Sequence, residues 1–263
     1  MAIIRSAAAI AADNTFGPQF LKSFDLTLLF EHSILTILPS ALFILACATY
    51  IYHRTRKPVV VDTGALLWAK LAVTSFLVGI EVYTTTSWSR QTAYRSDTAV
   101  AAAALDCISY IALGVFLFVD HRHAIRSSGL LALYLFLTAV FDGAKIRTYF
   151  TRTTLTLIGS LCIASMVLKV VLVILGEVSK RPLIRDQATR ENMTPEATSG
   201  FWGRALFVWL NGTMLTGFKT FLHIKNLPDL EPEFRAEYLL EYFGKKWRRG
   251  KLEQFTARYV NVR

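Results

Sequence analysis

The chain has 263 residues, 53% of them hydrophobic and 18% charged, with a formal charge of +10 and a mean hydropathy of +0.40. Ordinary soluble domains carry roughly 25% charged residues, so a water-soluble globular enzyme is not expected, and the apolar excess excludes a disordered chain. The bases lie between and after long apolar runs, where Lys and Arg meet anionic headgroups and set topology, so the expected partner is a lipid bilayer and not nucleic acid.

Residues 1–27 open with an alanine-rich stretch holding Arg5. Small residues from Ala7 to Ala12 suit a cleaved signal peptide, but the run is short and lacks a leucine-rich centre, which favours a retained, non-cytosolic tail. Five runs then reach the ~20 residues a bilayer requires: about Leu28–Tyr52, with Pro39 expected to kink it, Gly64–Tyr83, Thr98–Val119, Leu130–Phe150 and Thr154–Gly176. Runs of this length predict helices and not barrel strands. The fold class is therefore an all-α membrane protein, with a five-helix domain over residues 28–176 and termini on opposite sides. Lys and Arg do not settle the orientation, standing eight against seven between the two sets of connections.

Cys47, Cys107 and Cys162 all fall inside apolar runs and read as small buried hydrophobes. His121 and His123 have no partner cysteine at metal-ligand spacing, and no metal site is expected. No GxxxxGK[ST], GxSxG, HExxH or CxxC string occurs; Phe243-Gly244-Lys245 lacks the upstream glycine and the following Ser or Thr. Within the spans stand Glu81, Asp106, Asp142, Lys145 and Lys169, each costly in lipid. Asp142 and Lys145, three apart, share a helix face and can neutralise each other. Glu81 and Lys169 are expected to snorkel from span ends. Asp106 is the deepest acid, expected to pack against Ser109, Ser160 or Ser165. A catalytic pair is not evident, so no enzymatic activity is expected.

Residues 177–263 change character. Glu177–Gly200 is polar, carries Pro182 and Pro195, and reads as a linker. The stretch from Phe201 to Leu222 repeats Phe201, Ala205, Leu206, Trp209 and Leu210 at helical spacing, which suits an amphipathic helix in the membrane interface; a packed helix of a small soluble domain is the alternative. A further helix is predicted over about Pro232–Trp247, with acids early and bases late. From its end onward Lys245, Lys246, Arg248, Arg249 and Lys251 offer contacts to anionic lipid, or simply a solvated basic end.

Two stretches carry a resemblance. Phe24–Leu45 (FDLTLLFEHSILTILPSALFIL), preceded by NTFGPQF from Asn14, resembles the opening of multidrug-resistance-type ABC transporters of the C subfamily, especially those of filamentous fungi. Ser199–Phe218 (SGFWGRALFVWLNGTMLTGF), followed by NLPDLEPEF from Asn226, resembles their lasso linker and elbow helix. The likeness implies an N-terminus outside, a cytosolic C-terminus, and residence in the plasma or vacuolar membrane. On the cytosolic side the glycosylation patterns at Asn192 and Asn211 go unused. It also implies a chain that ends before the transporter core and its nucleotide-binding domains, so that ATP and Mg enter only through a linked core. Such a chain is a fragment, a truncated product or a free-standing module.

By the same likeness, Phe201, Trp202, Arg204 and Trp209 anchor the lasso in the membrane or against the core. The chain would then aid export of drugs or secondary metabolites by docking, trafficking or stabilising an ABC transporter core, in cis or in trans. A free-standing membrane scaffold and an inactive remnant are the alternative readings.

Overall fold

A computed structural model describes residues 14–17, 26–91, 96–187, 190, 193–221 and 236–248. Five helices are long and apolar enough to cross a membrane: α1 (Leu28–Arg54), α2 (Ala65–Arg90), α3 (Ala99–His123), α4 (Gly129–Thr151) and α5 (Thr156–Glu177). Among the described residues, extended pairing is limited to one antiparallel bridge, Val61 with Ile184. Most of the N-terminal tail, Asn226–Phe234, Arg249 and Lys251 lie outside the described residues.

The helices form a closed ring in the order α1, α3, α2, α5, α4, with the first turns of α1 returning to touch α4. Polarity is inverted relative to a water-soluble bundle. Leu42, Leu45, Phe76, Ile111, Leu133 and Ile174 point outward, while Glu31, His32, Asp106, Asp142 and Lys169 are buried. Hydrocarbon outside and hydrogen-bonded polar groups inside are what a bilayer demands. Two apolar clusters fill the ring. Phe43, Leu77, Tyr110, Phe116, Tyr134 and Leu172 pack toward the end from which the C-terminal segment leaves, here the tail end. Leu28, Trp88, Ala99, Tyr149 and Ile158 pack toward the other, far end. Glu81, Asp106, Asp142, Lys145 and Lys169 lie between the two.

Pro39 disturbs α1 upstream of itself. Glu31–Ile37 is a π-helical stretch, closed by the Leu38 amide donating to the Ser33 carbonyl. Proline lacks an N–H, and its ring would strike the carbonyl four residues back in a regular α-helix; the wider turn accommodates both defects. It also places Glu31, His32 and Thr36 inside the ring. There Glu31 accepts from the Thr148 hydroxyl at 2.5 Å, and His32 Nδ1 meets Ser96 Oγ at 2.7 Å. Helix α2 continues past Tyr83 through TTTSWSR to Arg90. Its hydroxyls bond to carbonyls of their own helix, Thr84 to Ile80, Thr85 to Glu81 and Ser87 to Tyr83, so they bring no unpaired groups into the membrane.

After α5, one-turn α6 (Pro195–Thr198) and short α7 (Phe201–Ala205) precede α8 (Asn211–Lys219); α9 covers Ala236–Arg248. The stretch from Phe201 is therefore not one amphipathic helix. It breaks at Phe207, whose φ of 54° is left-handed, and resumes through a tight turn at Val208–Leu210.

Candidate functional site

Two places concentrate the polar chemistry: the ionic layer inside the ring and the seam where the tail meets it. In the ionic layer, Asp142 holds two ammonium groups, Lys145 at 2.8 Å and Lys169 at 2.5 Å. All three are buried. Lys169 does not snorkel: an acid on α4 is within reach, and pairing there removes the cost of an isolated charge in lipid. Lys169 Nζ also lies 5.4 Å from the Tyr110 ring centre. Glu81, expected to snorkel as well, is buried in the same layer.

Asp106 takes a partner that its own helix does not supply. Ser40 on α1 donates to its carboxylate at 2.5 Å. Ser109 donates to the Asp106 carbonyl at 2.8 Å and meets the Tyr134 hydroxyl at 2.8 Å. Ser160 is exposed and spends its hydroxyl on the Leu157 carbonyl. Glu81, Asp106, Asp142, Lys145 and Ser165 line a cavity of about 40 Å³. A water needs roughly 10–15 Å³ of such space, so the cavity suits two or three waters among polar groups. The layer's bonds join α1 to α3 through Ser40 and Asp106, α4 to α5 through Asp142 and Lys169, and α4 to α1 through Lys145 and Thr36, while Glu81 on α2 faces the same cavity.

The tail seam was not legible from the sequence, because its decisive contacts join distant residues. Glu177, the last residue of α5, accepts from the amides of Trp202 at 3.0 Å and Gly203 at 2.7 Å. A carboxylate on the free amides of a helix start is favourable. Gly200 makes the approach possible: a Cβ there would stand 2.4 Å from the Glu177 carboxylate and 2.6 Å from its Cα. Around this clamp Ser127 donates to the Gly176 carbonyl at 2.9 Å, and Trp202 packs on Phe136 with ring centres 5.0 Å apart.

Lys180 and Arg185, in the segment after Glu177, are also docked. Lys180 donates to the Ala124 carbonyl at 3.1 Å and pairs with Asp120 at 3.4 Å. Burial pushes its ammonium below the ordinary lysine range, and Asp120 pulls it back. Asp120 also accepts from the Tyr50 hydroxyl at 2.6 Å, and Arg185 pairs with Asp62 at 2.7 Å.

Phe201, Trp202, Arg204 and Trp209 are all half-buried. The first three lie on the chain's own bundle: Phe201 against Gly129, Trp202 on Phe136, and Arg204 at 3.5 Å from the Ser127 carbonyl. The turn bearing Trp209 packs on α6. The outward apolar row is a different set, Leu206, Phe207, Met214, Leu215, Phe218 and Phe221, with Phe218 and Phe221 91% and 94% exposed. Lys245, Lys246 and Arg248 fall on α9.

A five-helix ring with a tail clamped beneath it is the arrangement against which comparison with known proteins becomes informative. The sequence pattern of the ABC transporter TMD0 domain matches residues 11–163. The chain belongs to the TMD0 family of ABC transporters. Curated relatives extend the match across the tail. An "ABC multidrug transporter lscH" of Purpureocillium lilacinum is 32% identical over 255 residues, covering 93% of this chain and 16% of the relative. "ABC multidrug transporter B" of Aspergillus fumigatus is 31% identical over 241 residues, covering 89% and 16%. The "ABC-type transporter braE" of Annulohypoxylon truncatum is 29% identical over 247 residues, covering 91% and 16%. This TMD0 chain thus spans about 16% of the length of those relatives.

Proposed function

We propose that the chain is a non-catalytic membrane module that docks on and stabilises an ABC exporter core, and so supports export of small molecules such as drugs or secondary metabolites. The observation that carries this reading is the clamped tail. Glu177 and Gly200 hold the start of α7, at Trp202 and Gly203, against the bundle, and downstream of this anchor Leu206, Phe218 and Phe221 are exposed. An apolar row that follows such an anchor and is exposed among the described residues suits a partner surface at the membrane border. ATP and Mg²⁺ act, on this reading, in the core's nucleotide-binding domains, because this sequence holds no phosphate-cradling loop.

The tail end is assigned to the cytosol, in the plasma or the vacuolar membrane. Of the bases toward the far end of the described bundle, Lys145 and Arg152 are buried and Arg90 and Arg147 are exposed. At the tail end Arg56, Lys57, Arg126, Arg181 and Arg185 are exposed, an excess that favours the cytosolic side. The test is export by cells carrying a relative's core without its own N-terminal domain. Co-expressing this chain restores export, and a variant with Leu206, Phe218 and Phe221 all changed to Ser does not. Equal export with and without the chain overturns the proposal.

A further inference from the structure

A groove of about 510 Å³ opens on the outer surface of the ring at the tail end, walled by Ala46, Thr49, Tyr50, His53, Arg54 and Lys57 on one side and Leu130 on the other. Its size lies within the range of small-ligand sites. The spacing 46, 49, 50, 53, 54, 57 is one face of a helix continued by a turn, so the groove is a stripe graded from apolar to basic. Ala46 and Arg54 are eight residues apart, about 12 Å along the axis. The stripe therefore runs from hydrocarbon depth to the headgroup level.

The polar groups of the stripe are arranged for an anion at one end only. Thr49 spends its hydroxyl on the Ala46 carbonyl at 2.9 Å, leaving its methyl for the groove. The Tyr50 hydroxyl accepts from Arg54 Nε at 3.1 Å, and the guanidinium lies 5.3 Å from that ring's centre. This fixes Arg54 while its terminal nitrogens stay available. His123 Nδ1 meets the Lys57 carbonyl at 2.7 Å and pins that residue's backbone. Leu130 is the second residue of the 23-residue α4, so the positive end of that helix dipole adds to the same rim. Among the described residues no acid lines the groove. Asp120, bonded to the far side of the Tyr50 hydroxyl, is buried and paired with Lys180.

We propose that this groove binds an anionic phospholipid, with its phosphate on Arg54, Lys57 and His53 and an acyl chain laid against Ala46 and Leu130. A zwitterionic lipid would fill the apolar part but return less from three bases. A soluble anion would use the rim and leave 12 Å of apolar stripe idle. The proposal does not depend on the chain engaging a transporter core.

The test is native mass spectrometry of the full 263-residue chain, titrated with phosphatidylserine and with phosphatidylcholine of identical acyl chains. Glycerophosphoserine serves as the headgroup alone. Phosphatidylserine is expected to bind at least tenfold tighter than phosphatidylcholine, with no retention of glycerophosphoserine. The double variant R54Q/K57Q is expected to lose roughly 25-fold in affinity, the equivalent of about 1 kcal/mol for each base. A46W keeps every charge, fills the apolar stripe, and is expected to abolish binding. Each variant is read only if it elutes monodisperse; the wild-type lipid preference stands as a test even if both fail. Equal binding of the two lipids, retention of glycerophosphoserine, or unchanged phosphatidylserine affinity in either folded variant overturns the proposal.

Discussion

Replacing Asp142 by leucine probes the ionic layer most sharply. Asp142 carries Lys145 at 2.8 Å and Lys169 at 2.5 Å, and all three side chains are 9% exposed or less. Removing one partner of a buried pair costs about 3–5 kcal/mol, because the other charge is left uncompensated. Two ammonium groups are orphaned here, but Asp106 and Glu81 face the same small cavity and return part of the compensation. The expected loss is therefore about 3 kcal/mol, or on the order of 10 °C in midpoint for a domain of this size. Adding Lys169→Met to Asp142→Leu removes one orphan and leaves the balance of acids and bases in the layer as it was. The double variant should regain about 2 kcal/mol over the sum of the two singles, a coupling in the range measured for residues in contact. The assay is thermal unfolding in detergent of the four proteins of that cycle, followed by loss of the monodisperse peak. A single variant within 1–2 °C of wild type, or additivity within about 0.5 kcal/mol, would refute the assignment of Asp142 as the shared anion.

Three further outcomes follow from the seam. Glu177→Ala removes two charge-assisted bonds, each worth about 1.5–3 kcal/mol, so amide exchange at Trp202 and Gly203 should accelerate while that of the spans stays unchanged. Gly200→Ala places a methyl 2.6 Å from the Glu177 Cα, and limited proteolysis should then cut within residues 200–221 sooner than in wild type. Arg185→Gln breaks an ion pair whose side chains are 58% and 56% exposed; exposed pairs contribute little, and stability should move by less than about 0.5 kcal/mol.

The five spans were legible because a bilayer sets a length and composition that the chain displays directly. Their ends were less so. Thr84–Ser89 reads as polar, yet each helical hydroxyl can pay its cost locally, and α2 runs on to Arg90. The Asp142–Lys145 contact was visible as an i, i+3 spacing, whereas Lys169 and Ser40 reach their acids from 27 and 66 residues away, distances at which periodicity says nothing. The linker reading of Glu177–Gly200 followed from its polarity. Those same polar residues dock it, through Lys180 on Asp120 and Glu177 on the start of α7. The break at Phe207 carried no glycine or proline to announce it.

The central claim, that the clamped tail offers its apolar row to a transporter core, is tested most directly by photo-crosslinking. A photoreactive residue is placed at Phe218 or Phe221, with Phe76 on the outer face of α2 as the lipid-facing control, and the chain is co-expressed with a relative's core lacking its N-terminal domain. The account predicts crosslinks to the core from positions 218 and 221, lost in Glu177→Ala, and none from position 76. Crosslinks confined to lipid, or equal at all three positions, would contradict it.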